Sequence, residues 1–376
     1  MEIRKIFLAL LRSELNNEGL DEATKKLLAR EDVRTSLYQL SKKYDLAHFI
    51  AEALEDNGLL SNDEISKKFI QERQVAVFRD AKMQYVREEL KELFQKNDIA
   101  FVLLKGSVIR DYYPETWMRT SCDIDILIHE EDIDKALQLT KELGYQNEER
   151  SYRDISLMDP SGVHVELHFS LKQAADMVDA ILEKVWDYVS VERQLSMEFF
   201  YFHVIAHMSD HFRRGGCGVR PFVDLCLLDR ELKLDKTIVE ELLVGAGIHQ
   251  FYQVSQKLVN AWFGDGEMDG PLEGVENYLL SAGLYGSLQN MVMIGKSRKG
   301  GKFQYIFSRL FLSYDVLKEY YPGLKGKKWL TGFYQVRRWF GLLSKKKRSK
   351  ALAELNTKAD QEKEAELEAV MKYAGL

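Results

Sequence analysis

The chain has 376 residues, 45% of them hydrophobic and 30% charged, with a net charge of −6 and a pI near 5.9. That length supports two or three domains, and the balance is that of a globular chain rather than a disordered one. The acidic total argues against nucleic acid or an anionic membrane as a partner, and no apolar run approaches the roughly 20 residues of a membrane helix.

The first residues, MEIRKIFLALLRSEL, carry an early glutamate and no small-residue cleavage site, so they read as an amphipathic helix and not a leader. Three cysteines (Cys122, Cys217, Cys226) without a CxxC pair point to a reducing, cytoplasmic setting. Residues 1–84 form an N-terminal helical region, in which Asn57-Gly58 stops one helix. A longer helix runs from Glu64 to Lys96, with Val75, Phe78, Tyr85, Leu90, Leu93 and Phe94 offered as one face.

At Ile99 the pattern changes. Residues 85–190 read as a small mixed sheet with helices in the order αβαβαββ, giving an α+β fold flanked by helical regions on both sides. A short apolar strand leads through Lys105-Gly106-Ser107 into a helix ending near Tyr113-Pro114, followed by the strand CDIDILI. Side chains alternate along a strand, so Asp123 and Asp125 share one face while Ile124, Ile126 and Ile128 share the other. EEDIDKALQLTKELGY is a helix with acids at its start and Gly144 at its end. One strand within Glu149–Met158 and a second, VHVELHFSL, form a hairpin across Asp159-Pro160-Ser161-Gly162. In the second, His164, Glu166 and His168 oppose Val163, Val165 and Leu167.

Two carboxylates on a strand face, with a third acid nearby, form the oxygen-rich set that Mg²⁺ takes, and a paired-metal site can activate an attacking hydroxyl and steady a leaving pyrophosphate. A glycine between strand and helix lets a phosphate approach the backbone, with Ser107 adding a hydroxyl and Lys105 a charge. Glu166 is the third acid, either as a metal ligand or as a general base. The bland alternative is a set of surface acids on solvent-facing strands.

The run LLKG…YP…R…DIDILI…DIDKALQLTKELGY…HVELHFSL, from about Phe101 to Leu171, resembles the DNA polymerase β-type nucleotidyltransferase superfamily. More narrowly it is similar to a bacterial group of largely uncharacterised nucleotidyltransferases, distantly related to aminoglycoside nucleotidyltransferases. The resemblance implies Mg²⁺-dependent transfer of a nucleoside monophosphate from an NTP to an acceptor hydroxyl, with two ions held by Asp123, Asp125 and Glu166. It assigns Gly106 and Ser107 to the triphosphate and puts Lys105 and Arg119 at the family's Lys and Arg positions. The chain departs from the superfamily in a longer Gly-Ser to Asp spacing and in having Glu as its third acid.

Residues 191–343 form a C-terminal helical region, in which MEFFYFHVIAHMSDHF is apolar on several faces and belongs inside a bundle. Its His203, His207 and His211 share a helix face, the basis for a zinc hydrolase as a rival reading. His164 and His168 around Glu166 suggest a transition-metal site, although strand histidines about 7 Å apart bridge one metal poorly. The loop Asp265–Glu276 follows most of the EF-hand spacing, but Glu267 and Pro271 favour an acidic helix–helix turn. Gly295-Lys296-Ser297 lacks the first glycine of a phosphate loop and reads as helix. Basic residues dominate 296–350, with Lys327, Lys328, Arg337 and Arg338 as candidates for neutralising a triphosphate. The tail, 344–376, is a KKKR run and a polar helix expected to be solvated. The helical flanks also motivate a second function, a silent nucleotide- or protein-binding module on the same scaffold; the acceptor and any protein partner are left open.

Overall fold

The computed structural model describes residues 2–173, 175–190, 193–281, 283, 288–298, 304, 307, 310–324, 326–342 and 361–376. Five helices lead in: α1 (Glu2–Asn16), α2 (Glu22–Leu28), α3 (Glu31–Lys43), α4 (Ala47–Asp56) and α5 (Glu64–Lys96). Asp63 caps α5 by accepting from the backbone N–H groups of Ile65 and Ser66, the bond that a short acid supplies at a helix start. Gly58, at φ 66°, ends the turn after α4.

The sheet follows: β1 (Phe101–Leu103), the one-turn α6 (Gly106–Ile109), β2 (Asp123–Ile128), α7 (Ile133–Glu142), β3 (Gln146–Arg150), β4 (Asp154–Met158) and β5 (His164–His168). Its order is β1-β2-β5-β4-β3, with β2 and β5 parallel and the other pairs antiparallel. Ile124, Ile126 and Ile128 lie in a core with Val165 and Leu167 of β5, Val86, Leu90 and Phe94 of α5, and Ile133 and Ala136 of α7. Each isoleucine buried there contributes about 1.5–3 kcal/mol relative to leaving it exposed. Leu127, one residue out of phase, joins a second core shared with the helical flanks. The apolar side of β2 thus fixes which way its carboxylates point.

The second core holds α1, α4 and the helices after the sheet, among them α8 (Asp176–Leu182), α9 (Met197–Arg213), α10 (Arg220–Glu231), α11 (Lys236–Gly245), α12 (His249–Phe263) and α13 (Gly270–Ser281). Eleven residues of α9 are buried, from Phe199 to Phe212, as its all-round apolar pattern requires. The loop before α13 is the acidic turn expected: Asp269 caps the helix at Leu272, and Asp265 pairs with Arg12. Gly295 lies within helix α14 (Leu288–Arg298). No described helix is long and apolar enough to cross a membrane.

Four local expectations change. The buried side of α5 runs through Phe69, Ala76, Met83, Val86, Leu90 and Phe94, leaving Val75, Phe78 and Tyr85 exposed. These three lie off that face, because the helix meets α4 at one end and the sheet at the other. β3 is an additional strand, and every residue of QNEER is exposed; it is the sheet's last strand, and charged edges of this kind discourage stray pairing. The helix after Gly106 lasts one turn and continues as 3-10 turns at Arg110–Tyr112 and Thr116–Met118. The end of the tail packs: helix Gln361–Tyr373 buries Leu367, Val370 and Met371. The KKKR run lies outside the described residues.

Candidate active site

The parallel pairing of β2 with β5 sets Asp123 opposite His164, Asp125 opposite Glu166 and Leu127 opposite His168. Because residues in register point the same way, Asp123, Asp125, Glu166 and the two histidines gather on one face. Asp125 is buried, while Asp123 and Glu166 are half-buried.

Two side chains hold Asp125. Lys105 Nζ donates to its Oδ1 at 2.9 Å, and His168 Nε2 lies 2.7 Å from the same oxygen and 3.3 Å from Glu166 Oε2. Burial alone raises the Asp125 pKa, but Lys105 and His168 outweigh it and hold the carboxyl well below the usual range. Asp123 goes the other way: burial, then Asp125 and Glu166, push it up. Hydrogen bonding to His168 lowers Glu166. For His168 itself, burial and Lys105 depress the imidazole, yet its bonds to Asp125 and Glu166 more than offset them and its pKa is raised. Three carboxyl groups therefore gather around Lys105 and His168.

The turn before α6 supplies the Lys105 ammonium. Lys105 sits at φ 44°, ψ −122°, a conformation uncommon for a residue with a side chain. Gly106 packs closely: a Cβ there would crowd Ser121 Oγ at 3.1 Å and touch Arg119 Nη1 at 3.5 Å. The Ser107 N–H donates to Leu104 O, whereas its Oγ is buried with no hydrogen-bond partner. Leaving a buried hydroxyl unpaired costs about 1–3 kcal/mol. A four-residue helix adds little dipole, and of this turn Lys105 and Gly106 line the cavity while Ser107 does not.

Arg119 also reaches this cavity, but its guanidinium is held elsewhere. Its Nε and Nη2 donate to Asp224 Oδ1 and Oδ2 of α10 at 2.7 and 2.9 Å, and Nη1 donates to Thr120 O. Tyr113 Oη donates to Asp224 Oδ1 at 2.6 Å. Arg220 donates to Thr120 O and pairs with Asp45.

These groups enclose about 290 Å³, bounded on the far side by His207 and His211 of α9 and by Arg153. His203, His207 and His211 share one face of the helix, as their spacing requires, and the Nε2 atoms of His207 and His211 are 3.0 Å apart. Burial, with Lys105 adding to it, lowers His203 to about 3 and His211 to about 4, so these imidazoles are neutral. Among the described residues, two groups of three bring ligand atoms within 4.8 Å of one another: Asp123/His164/Glu166 and Asp125/Glu166/His168. The α9 histidines form no such group among these residues. The donor chemistry on β2 and β5, three carboxyl groups with ligand atoms close together, fits a divalent cation. A larger groove of about 940 Å³, between α13 and helix Gln361–Tyr373, shares none of these side chains.

Three contributors escape sequence reasoning. Ser121, whose Oγ donates to Asp123 O, Arg153 and Asp224 belong to no short motif. Asp224 lies 105 residues from Arg119. The basic candidates Lys328 and Arg337 stack over Tyr314 and Tyr321, outside this cavity.

The model of a family described as uncharacterised nucleotidyltransferase matches residues 32–264, a span that contains the whole sheet, α9 and α10. No curated protein and no solved structure matches the chain. With more than half of its length inside that match, and the β2–β5 acids within it, the chain belongs to this uncharacterised nucleotidyltransferase family.

Proposed function

We propose that the protein transfers a nucleoside monophosphate from an NTP to an acceptor hydroxyl and releases pyrophosphate. The observation that carries this reading is the register that puts Asp123, Asp125 and Glu166 on one face of adjacent strands. Asp123, Asp125 and Glu166 would hold the metal, Mg²⁺ as two ions. When bound, it polarises the phosphoryl group and offsets charge on the attacking and leaving oxygens.

The remaining work falls to this chain's own groups. Lys105, beside Asp125, keeps that carboxylate ionised and lies close enough to meet a phosphate oxygen. Gly106 lines the cavity where the triphosphate would sit, with Ser107 behind it in the turn as a buried hydroxyl that would meet a phosphate only if the turn shifts. Arg119, fixed by Asp224, adds positive charge at the cavity edge while holding the loop before β2 in place. Catalysis in such transfers is mostly positioning and electrostatic stabilisation. A reaction that draws on NTP fits a cytoplasmic setting.

A second reading, nucleotide binding without turnover, draws on one feature: Asp125 Oδ1 is already taken by both Lys105 and His168. Incubation of the full chain with α-labelled NTPs, Mg²⁺ and a cell extract separates the two. Label appearing in an acceptor, with pyrophosphate, supports transfer; nucleotide binding with neither product supports the silent module.

A further inference from the structure

Glu166 stands between two histidines on β5, and these differ in their partners. His164 is half-buried, with Nε2 3.2 Å from Glu148 Oε2 on β3. His168 is buried and turned inward, 2.7 Å from Asp125 Oδ1 and 3.3 Å from Glu166 Oε2. The two histidines therefore need not bridge a single ion; each joins Glu166 and a different aspartate.

Adjacent ligands around an octahedral ion with bonds of about 2.1 Å stand about 3 Å apart. The two His168 distances, 2.7 and 3.3 Å, bracket that spacing, and all three ligand atoms lie within 4.8 Å of one another, so Asp125, Glu166 and His168 are within reach of one ion. Mg²⁺ takes hard oxygens and gains little from an imidazole, whereas Mn²⁺ accepts octahedral carboxylate and water ligation and tolerates nitrogen as well. Zinc sites are mostly tetrahedral and richer in histidine or cysteine than this face, which sets one histidine beside two carboxyl groups.

We propose that His168 is itself a metal ligand beside Asp125 and Glu166, and that this mixed nitrogen–oxygen set makes the centre select Mn²⁺ over Mg²⁺. The proposal rests on the metal-dependent reading above but does not require turnover. The Asp123/His164/Glu166 group is more exposed and its histidine is shared with Glu148, so it binds the more weakly of the two. The competing role for His168 is to hydrogen-bond Asp125 and Glu166 and orient them without touching the ion.

Pulsed electron paramagnetic resonance on the full chain loaded with Mn²⁺ alone decides between them. The expected spectrum shows a directly bound imidazole nitrogen whose modulation changes when histidine is supplied as the ¹⁵N form. That comparison needs no substitution. Competition should show Mn²⁺ bound at least about 10-fold more tightly than Mg²⁺, and His168→Asn should remove the coupling and cut that preference about 10-fold. His164→Asn should retain the coupling. A Mn²⁺ shell with no bound nitrogen, or coupling lost in His164→Asn and kept in His168→Asn, overturns the assignment. Nitrogen coupling in a protein that transfers nothing leaves the proposal standing and sinks the proposed reaction. Transfer by a centre with an all-oxygen shell does the reverse.

Discussion

Arg119 with Asp224, and Lys105 with Asp125 and His168, are both buried charge clusters on one cavity, yet they are completed differently. Asp224 accepts two bonds from Arg119 and one from Tyr113, and the remaining Arg119 donor goes to Thr120 O. Its charges match one to one. The Asp125 cluster has further acids in Asp123 and Glu166, whose ligand atoms lie close to it. A satisfied ion pair of the first kind holds two elements together, here the loop before β2 and α10. A cluster with more carboxyl groups than paired partners is the arrangement on which the proposed metal site rests.

Substitutions should separate the two clusters. The largest effect is expected from Glu166→Gln and Asp123→Asn, each lowering transfer by about 10²–10³-fold or more while the circular dichroism spectrum is unchanged; near-normal rates in both would remove the acid face from the chemistry. Asp224→Asn should act on stability instead. It leaves Arg119 buried and unpaired, a loss of about 3–5 kcal/mol in denaturant unfolding. If the folded fraction then also loses all activity, Arg119 and Asp224 belong to the catalytic machinery after all.

Ser107→Ala should leave stability unchanged or raise it by about 1 kcal/mol, because it removes a buried hydroxyl that makes no bond. Its effect should fall on KM for the NTP, raised several-fold, with kcat changed less. The smallest effect lies away from the cavity. Burial, with repulsion from Asp56 and Glu52, pushes the Glu14 carboxyl up to about 7. A raised pKa in the folded state means its stabilising contribution is complete below about 4.5 and is lost as pH rises through about 7. Glu14→Gln should therefore leave Tm unchanged near pH 4 and raise it at pH 8. The gain is on the order of 1 kcal/mol, since partial exposure screens the charge.

The same contrast explains what was legible in the chain. The acid face was readable because β2 and β5 alternate with period two, and a buried isoleucine side dictates where Asp123, Asp125 and Glu166 point. β3 was not, because QNEER contains no apolar residue and gains its place from pairing with β4 at the sheet edge. Arg119 stood out by its position in the motif, but its partner Asp224 sits on a helix 105 residues away, and no local pattern encodes that pairing. The long helix α5 misled for a related reason. Its apolar residues were too many for one face, and only packing against α4 and the sheet decides which of them are buried. The tail looked soluble by composition, yet Leu367, Val370 and Met371 suffice to seat it against α13 and α14.

The most direct test of the acid face as the reaction centre is pyrophosphate release. The full chain and its Asp125→Asn variant are each incubated with NTPs, a divalent ion and cell extract as the source of acceptor. The account predicts metal-dependent release by the native protein and background release by the variant, with the circular dichroism spectrum of the variant unchanged. Equal release by both proteins would contradict it.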